Sequence, residues 1–382
     1  MSGEKELVAR FLEEAGIEID GPNRWDIQVH NERFYKRVLA DQSLGLGESY
    51  MEGWWDCPSV DEFICRVLKN RTYTKIKGGW RIYLSLASDR FYNRQSLKRS
   101  RKVADQHYSL DNDLYMSFLD PYNQYSCAFF QNGESLSEAQ RAKLDLICRK
   151  LALEDRHRVL DIGCGWGGWA RYAARNYGCS VLGINICDEQ IRYARKAAQG
   201  LPVRIEHRDY RDLNDRFDRI VSVGMFEHVG WKNYRTFMEI AHRSLEDDGV
   251  FLLQTIGKNE TQPGEDPWIA KYIFPNSYLP SAAQIARAAE GLFVMEDWHN
   301  LGPHYEKTLL CWHENFQEAW PRLSRKYDER FKRMWDYYLL SCAGAFRARE
   351  IQLWQVVLSK TGIPQPPCRP DAGRTTEAAA GA

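Results

Sequence analysis

No stretch of this 382-residue chain approaches the roughly 20 apolar residues that a membrane-spanning helix needs, so any bilayer contact is expected to be peripheral. No charge of either sign predominates. Fifty-two Lys and Arg balance 52 Asp and Glu, which argues against nucleic acid as a main partner. The ten cysteines include no Cys-x-x-Cys pair and no grouping at metal-ligand spacing, so free thiols in a reducing compartment, and no metal, are expected. Met1-Ser-Gly-Glu-Lys-Glu6 carries charge where a secretory signal would be apolar. A cytoplasmic protein is expected, and no internal repeat is visible.

What the chain does contain divides it. Residues 1–85 place apolar side chains at helical spacing, as in Leu7 to Leu12, Phe34 to Leu39 and Val60 to Leu68, and predict a small helical domain. Between these stretches, Leu44 to Trp55 suits a surface turn, and its adjacent indoles fit either a core or a lipid interface. From Arg66 to Lys102 twelve Lys or Arg meet a single acid, Asp89. Such a charge suits phosphate or an anionic membrane surface, and the stretch overlaps a basic linker expected at 86–105.

From about 106 to 360 the pattern changes to alternating strands and helices. Ser135-Leu-Ser-Glu138 is a capping box that opens a helix. Strands are expected at Val159–Ile162, Val181–Ile184, Val203–Glu206, Ile220–Val223, Val250–Gln254, Phe293–Trp298 and Leu309–Trp312, and a helix over Phe331–Phe346. Strand and helix alternation implies an α/β, mainly parallel, doubly wound sheet with its ligand beyond the carboxyl ends of the strands. The tail at 361–382, rich in Pro, Ala, Gly and Thr, is expected to be disordered.

The glycine cluster at Val159-Leu-Asp-Ile-Gly-Cys-Gly-Trp-Gly-Gly168 is the stretch that speaks most directly of function. An apolar strand ends on Asp161 and breaks into glycines that let a ligand lie against main-chain N–H groups at a helix start. Gly163-x-Gly165-x-x-Gly168 also satisfies the dinucleotide fingerprint. However, the next strand ends in Asn185 rather than the carboxylate a nicotinamide enzyme places on the ribose. The spacing Asp161-x-Gly163-x-Gly165-x-Gly167 is similar to the first motif of class I S-adenosylmethionine methyltransferases.

Five further stretches narrow this: Ser43-Leu-Gly-Leu-Gly-Glu-Ser-Tyr-Met51, Tyr125-Ser-Cys-Ala128, Val221-Ser-Val-Gly-Met-Phe-Glu-His-Val-Gly230, Leu279-Pro-Ser281 and Cys342-Ala-Gly-Ala-Phe-Arg347. Together with the glycine motif they resemble the cyclopropane-fatty-acyl-phospholipid synthases and the mycolic acid cyclopropane synthases, over about residues 5–360. The resemblance implies a class I methyltransferase domain with a Rossmann-like sheet behind a helical lipid-binding domain. It also implies transfer of the S-adenosylmethionine methyl to a cis double bond of a phospholipid acyl chain. Ring closure after proton loss to a bound bicarbonate is implied on the same ground.

By motif, the resemblance puts the bicarbonate on the Cys127 main chain, Glu227, Ile256 N–H and Tyr305. Gln254 stands where the family usually has histidine. Glutamine donates an N–H to an anion but cannot titrate near neutrality. Cys342, in a helix, is read as pocket wall rather than nucleophile, and His228 as support for Glu227. For the cofactor the resemblance names Tyr108, Tyr125 and Ser126 around the methionine carboxylate and Asp161, Gly163, Cys164, Gly165 and Gly167 in the turn. Asn185 and Gln190 fall on the ribose, and Asp209, Tyr210 and Arg211 near the adenine. A homodimer at the inner face of the cytoplasmic membrane is expected on the same ground. The alternative is a related methyltransferase that makes a branched fatty acid or acts on a small molecule.

Overall fold

The apolar stripes read near the N-terminus do form helices. α1 (Gly3–Glu14) buries Val8 and Leu12, α2 (Arg33–Met51) buries Phe34 and Tyr35, and α3 (Val60–Lys69) buries Val60, Phe63 and Ile64. A short antiparallel ribbon, β1 (Gln28–Val29) with β2 (Trp55–Asp56), lies between them. The computed structural model describes residues 3–71, 112–131, 133–262 and 264–364. The linker expected at 86–105, Tyr108 and most of the expected tail lie outside these residues.

The surface turn expected at Leu44 to Trp55 is corrected. Leu44 to Met51 continues α2 beyond a break at Gln42, whose φ of 50° and ψ of −126° are not helical. Gly47 serves close approach here, because a Cβ at that position would overlap the Trp268 ring. Trp55 is fully buried and packs against Phe34, Tyr50, Phe63 and Tyr337. It is a core residue, since its large apolar area is satisfied inside the protein.

After α4 (Asn112–Phe118), α5 (Leu136–Lys150) opens on the expected capping box. Glu138 N–H donates to Ser135 Oγ, and Ser135 N–H to the Glu138 carboxylate. The sheet then follows: β3 (Arg158–Ile162), α6 (Gly168–Tyr177), β4 (Ser180–Asn185), α7 (Asp188–Ala197), β5 (Val203–His207) and β6 (Phe217–Val223). Next come α8 (Tyr234–Ser244), β7 (Leu245–Lys258), α9 (Pro267–Tyr272), α10 (Ala282–Ala289) and β8 (Val294–Asn300). The chain closes with α11 (Gly302–Leu323), α12 (Glu329–Arg347) and β9 (Ile351–Ser359).

The seven strands take the order β5-β4-β3-β6-β7-β9-β8, parallel from β5 to β7 and antiparallel at β9 and β8. β3 sits where the winding direction reverses, the place at which such sheets bind ligands. Two strand expectations change. Leu309–Trp312 lies inside α11, where Tyr305, Leu309, Trp312 and Phe316 recur at helical spacing and are all buried. Conversely, β9 is a strand that was not expected. It runs antiparallel between β7 and β8, and Gln352 to Ser359 are buried throughout.

One hydrophobic cluster runs from the N-terminal helices into the rest of the protein. It joins Val8, Phe34, Trp55 and Phe63 to Tyr115, Trp268, Trp312, Trp335 and Tyr338. Arg347 ties the same regions by ion pairs to Asp61, Glu62 and Glu306. Glu48 of α2 accepts from Arg37, and from Lys271 Nζ at 2.5 Å and Tyr272 Oη at 2.8 Å, holding α2 against α9.

Candidate active site

At the carboxyl end of β3 the chain turns through Gly163, Gly165 and Gly167, with φ of 81°, 53° and 72°, a region that L side chains avoid. The turn delivers the start of α6 to a cleft of about 210 Å³. Gly168 answers a different demand. A Cβ there would overlap the Tyr122 carbonyl and the Gln124 side-chain amide, so glycine lets the 122–126 segment close over the turn.

Most of the cofactor residues named from sequence meet in this cleft: Tyr125, Ser126, Asp161, Gly163, Cys164, Gly165, Asn185, Gln190, Asp209 and Tyr210. Gly167 and Arg211 are outside its lining. Arg211 instead forks onto Asp209, Nε to Oδ1 and Nη2 to Oδ2, each at 2.8 Å, which neutralises that buried acid. Asn185 Nδ2 donates to Gln190 Oε1 at 2.8 Å, fixing the Gln190 side chain. Burial pushes the Asp161 carboxyl up to about 7, against the opposing pull of Lys143. Asn123, Gln124 and Arg208, not singled out from sequence, also line the cleft, as does His228, read there as support for Glu227.

A second, larger cavity of about 550 Å³ lies beyond Tyr125, Ser126, Gly224 and His228, residues that border both spaces. Its walls are mostly apolar and come from α1, α2, α3, α11 and α12, including Phe11, Leu46, Ile64, Leu309 and Phe346. Glu227, Gln254, Ile256, Tyr305 and Cys342 are all in its lining. Cys127 is in neither lining. Its thiol is fully buried and donates to the Ala128 carbonyl at 3.1 Å.

Glu227 comes from the short turn Phe226–His228 after β6. Its Oε1 accepts from Ile256 N–H at 2.7 Å, while Oε2 is buried and has no hydrogen-bond partner. Burial raises its pKa to about 7, against the opposing hydrogen bond from Ile256. Gln254 is wholly buried, with Oε1 accepting from Gln355 Nε2 at 2.9 Å and its own Nε2 unpartnered. A buried carboxylate oxygen and a buried amide N–H without partners cost free energy unless a ligand meets them. Both residues line one cavity, and an oxyanion that carries one proton matches this acceptor and donor pair.

The remaining candidates are sorted by their surroundings. Burial pushes the Cys342 thiol up to about 12, so it is no thiolate. Burial pushes His228 down to about 4, so its ring is neutral. Tyr305 stacks on Phe346 with ring centroids 4.6 Å apart, and Tyr125 Oη and Tyr338 Oη are 2.8 Å apart. Tyr125 borders both spaces, while Tyr305, Tyr338 and Phe346 line the larger one. Gln355 also escaped sequence reasoning. Its relation to Gln254 exists only in the β7–β9 register, which pairs the two residues directly.

Comparison with known proteins gives the chain's relatives. Residues 95–356 match the family model described as mycolic acid cyclopropane synthetase. The cyclopropane-fatty-acyl-phospholipid synthase of Escherichia coli K12 is 54% identical over 354 residues, covering 93% of each chain. The solved cyclopropane synthase MmaA2 from Mycobacterium tuberculosis superposes with a TM-score of 0.65 at 33% identity, over 68% of this chain and 98% of that one. CmaA1, a mycolic acid cyclopropane synthase solved with SAH and CTAB, gives a TM-score of 0.64 at 32% identity, with coverage of 68% and 98%. The fold is that of a class I methyltransferase, and the chain belongs to the mycolic acid cyclopropane synthetase family.

Proposed function

We propose that the protein transfers the methyl group of S-adenosylmethionine to a cis double bond of an unsaturated phospholipid acyl chain and closes a cyclopropane ring as a proton leaves. One observation carries this reading. A cleft floored by glycine meets a larger, mostly apolar cavity at Tyr125, Ser126, Gly224 and His228, and Glu227 and Gln254 present unpartnered polar atoms in the larger one. The cofactor supplies an electrophilic sulfonium methyl. The glycine turn would hold its methionine part, Asn185 and Gln190 would hold the ribose and Asp209 and Tyr210 the adenine, all from the lining of the cleft, while Tyr108 and Arg211 belong to the reading on family grounds.

An alkene is a poor nucleophile, so the chain must align it with the methyl and exclude water. The apolar walls do both. Methyl addition leaves positive charge on an acyl carbon, which the faces of Tyr125 and Tyr305 and the carboxylate of Glu227 stabilise. Bicarbonate would supply the base for the departing proton. Glu227 Oε2 would accept its O–H and Gln254 Nε2 would donate to its oxygens, with Tyr305 beside them. The Ile256 N–H would act through its hold on Glu227, and Cys127 through its main chain.

We place the reaction at the inner face of the cytoplasmic membrane. The substrate resides in a bilayer, the stretch from Arg66 to Lys102 is strongly basic, and no described helix is long and apolar enough to cross a membrane. A homodimer rests on the family resemblance alone. The test is mass spectrometry of vesicles of cis-unsaturated phospholipid incubated with the protein and S-adenosylmethionine, with and without bicarbonate. A gain of one CH2 with loss of the double bond, dependent on bicarbonate, is expected. The same product without that dependence removes bicarbonate from the account. A methyl branch in place of a ring moves the protein to the branched-chain reading.

A further inference from the structure

The deepest charge beside the cofactor cleft belongs to a residue that no motif contains. Lys143, in the middle of α5, is completely buried. Its ammonium donates to Gln124 Oε1 at 2.6 Å and to Ser126 Oγ at 3.0 Å. One turn earlier on the same helix, Gln140 Nε2 donates to the Ser126 carbonyl at 2.9 Å. The main chain of the 124–126 segment thus already has a clamp. Asp120 supplies more, accepting from Tyr122 N–H at 2.8 Å and Gln124 N–H at 2.7 Å. Holding the loop therefore does not call for a charge. A buried ammonium is expensive to desolvate, and a neutral donor would have cost less.

The charge has a place to act. Asp161 at the glycine turn and Ser126 both line the cleft, and the three ionisable groups that act on Lys143 are Asp120, Cys127 and Asp161. The Cys127 thiol is held neutral by burial. Because Ser126 Oγ accepts from Lys143, its own O–H is oriented to donate elsewhere. The cleft wall therefore presents a polarised hydroxyl backed by positive charge near an acid, which suits a ligand with a carboxylate and an ammonium on one short tail.

We propose that Lys143 is a positioning residue that acts through Ser126, and through its hold on Gln124, to make the cofactor cleft select adenosyl ligands bearing an amino-acid tail. This rests on the reading of that cleft as the S-adenosylmethionine site. Burial lowers the ammonium to about 8, so the selection should be full below that pH and fade above it.

The test compares two ligands by calorimetry. S-adenosylhomocysteine carries the amino-acid tail, and 5′-methylthioadenosine has the same adenosine and thioether without it. Lys143→Met keeps the side-chain length and removes the charge. It should weaken S-adenosylhomocysteine by about 10- to 100-fold, the range for hydrogen bonds to charged groups, and leave methylthioadenosine unchanged. The wild type should also lose affinity for S-adenosylhomocysteine as pH rises through about 8, and Lys143→Met should not show that loss.

Equal weakening of both ligands would make Lys143 mere support for the loop and overturn the proposal, as would no weakening of either. If Lys143→Met does not fold, Ser126→Ala must show the same selective loss, and its absence overturns the proposal equally. Failure of the wild type to bind either ligand would instead remove the cofactor reading itself, and this inference with it.

Discussion

The smaller cleft is assembled from four short stretches, residues 123–126, 161–169, 184–190 and 208–210, with additions from 223–229 and 275–276. The larger cavity draws on α1, α2, α3, α11, α12, β7 and β9, segments separated by up to the length of the chain. The two share a border yet differ in how they are specified. Strand ends of a parallel sheet bring neighbouring turns together whatever surrounds them, so a ligand site there can be written in local motifs. A cavity between helices exists only after the helices pack, and its walls are ordinary apolar residues.

Breaking the larger cavity where its chemistry is concentrated should have the largest effect. Glu227→Gln is expected to lower ring formation by on the order of 100- to 10,000-fold, measured as product per minute, with S-adenosylhomocysteine affinity unchanged. The same variant should be more stable than wild type at alkaline pH. A buried acid raised from 4.5 to about 7 contributes stability that is complete below 4.5 and lost as pH climbs through about 7. The variant should lack that loss, gaining up to about 3 kcal/mol near pH 9 relative to pH 4. Thermal melts across pH check this, and a flat difference between the proteins would refute it.

The next predictions separate the two spaces. Gly168→Ala forces the 122–126 segment off the turn, so cofactor affinity should fall by about 5- to 150-fold, the effect of about 1 to 3 kcal/mol of overpacking. Lipid binding should hardly change. Gln355→Leu leaves the cleft intact but releases Gln254, and turnover should drop about 10-fold for one lost buried hydrogen bond. That loss should appear with no change in S-adenosylhomocysteine affinity. Cys342→Ala should have the smallest effect, retaining most of the activity, because a thiol at about 12 is no nucleophile. Abolished activity with native stability would restore a chemical role for Cys342.

The same contrast explains what was legible beforehand. The glycine turn, the Ser135 capping box, the parallel strands and the α12 helix were readable because spacing and residue type are local signals. Trp55 could not be placed, since one of two adjacent indoles serves a core or an interface equally until Phe63 and Tyr337 are seen to surround it. Leu309–Trp312 reads as a strand over four residues and as a helix only over the whole span of α11. β9 carries almost no polar alternation because it is covered on both faces, so period alone could not identify it. Lys143 and Gln355 look like ordinary helix and strand residues, and only tertiary contact gives them a partner.

The most direct test of the account follows the hydrogens of the transferred methyl. The protein is incubated with S-adenosylmethionine labelled with deuterium throughout that methyl and with vesicles of cis-unsaturated phospholipid, and the lipid is analysed by mass spectrometry. Ring closure requires the new carbon to surrender one deuteron, so a cyclopropane product lacking one label is predicted. A product that keeps every deuteron as a branch methyl would contradict the claim that Glu227 and Gln254 serve proton removal.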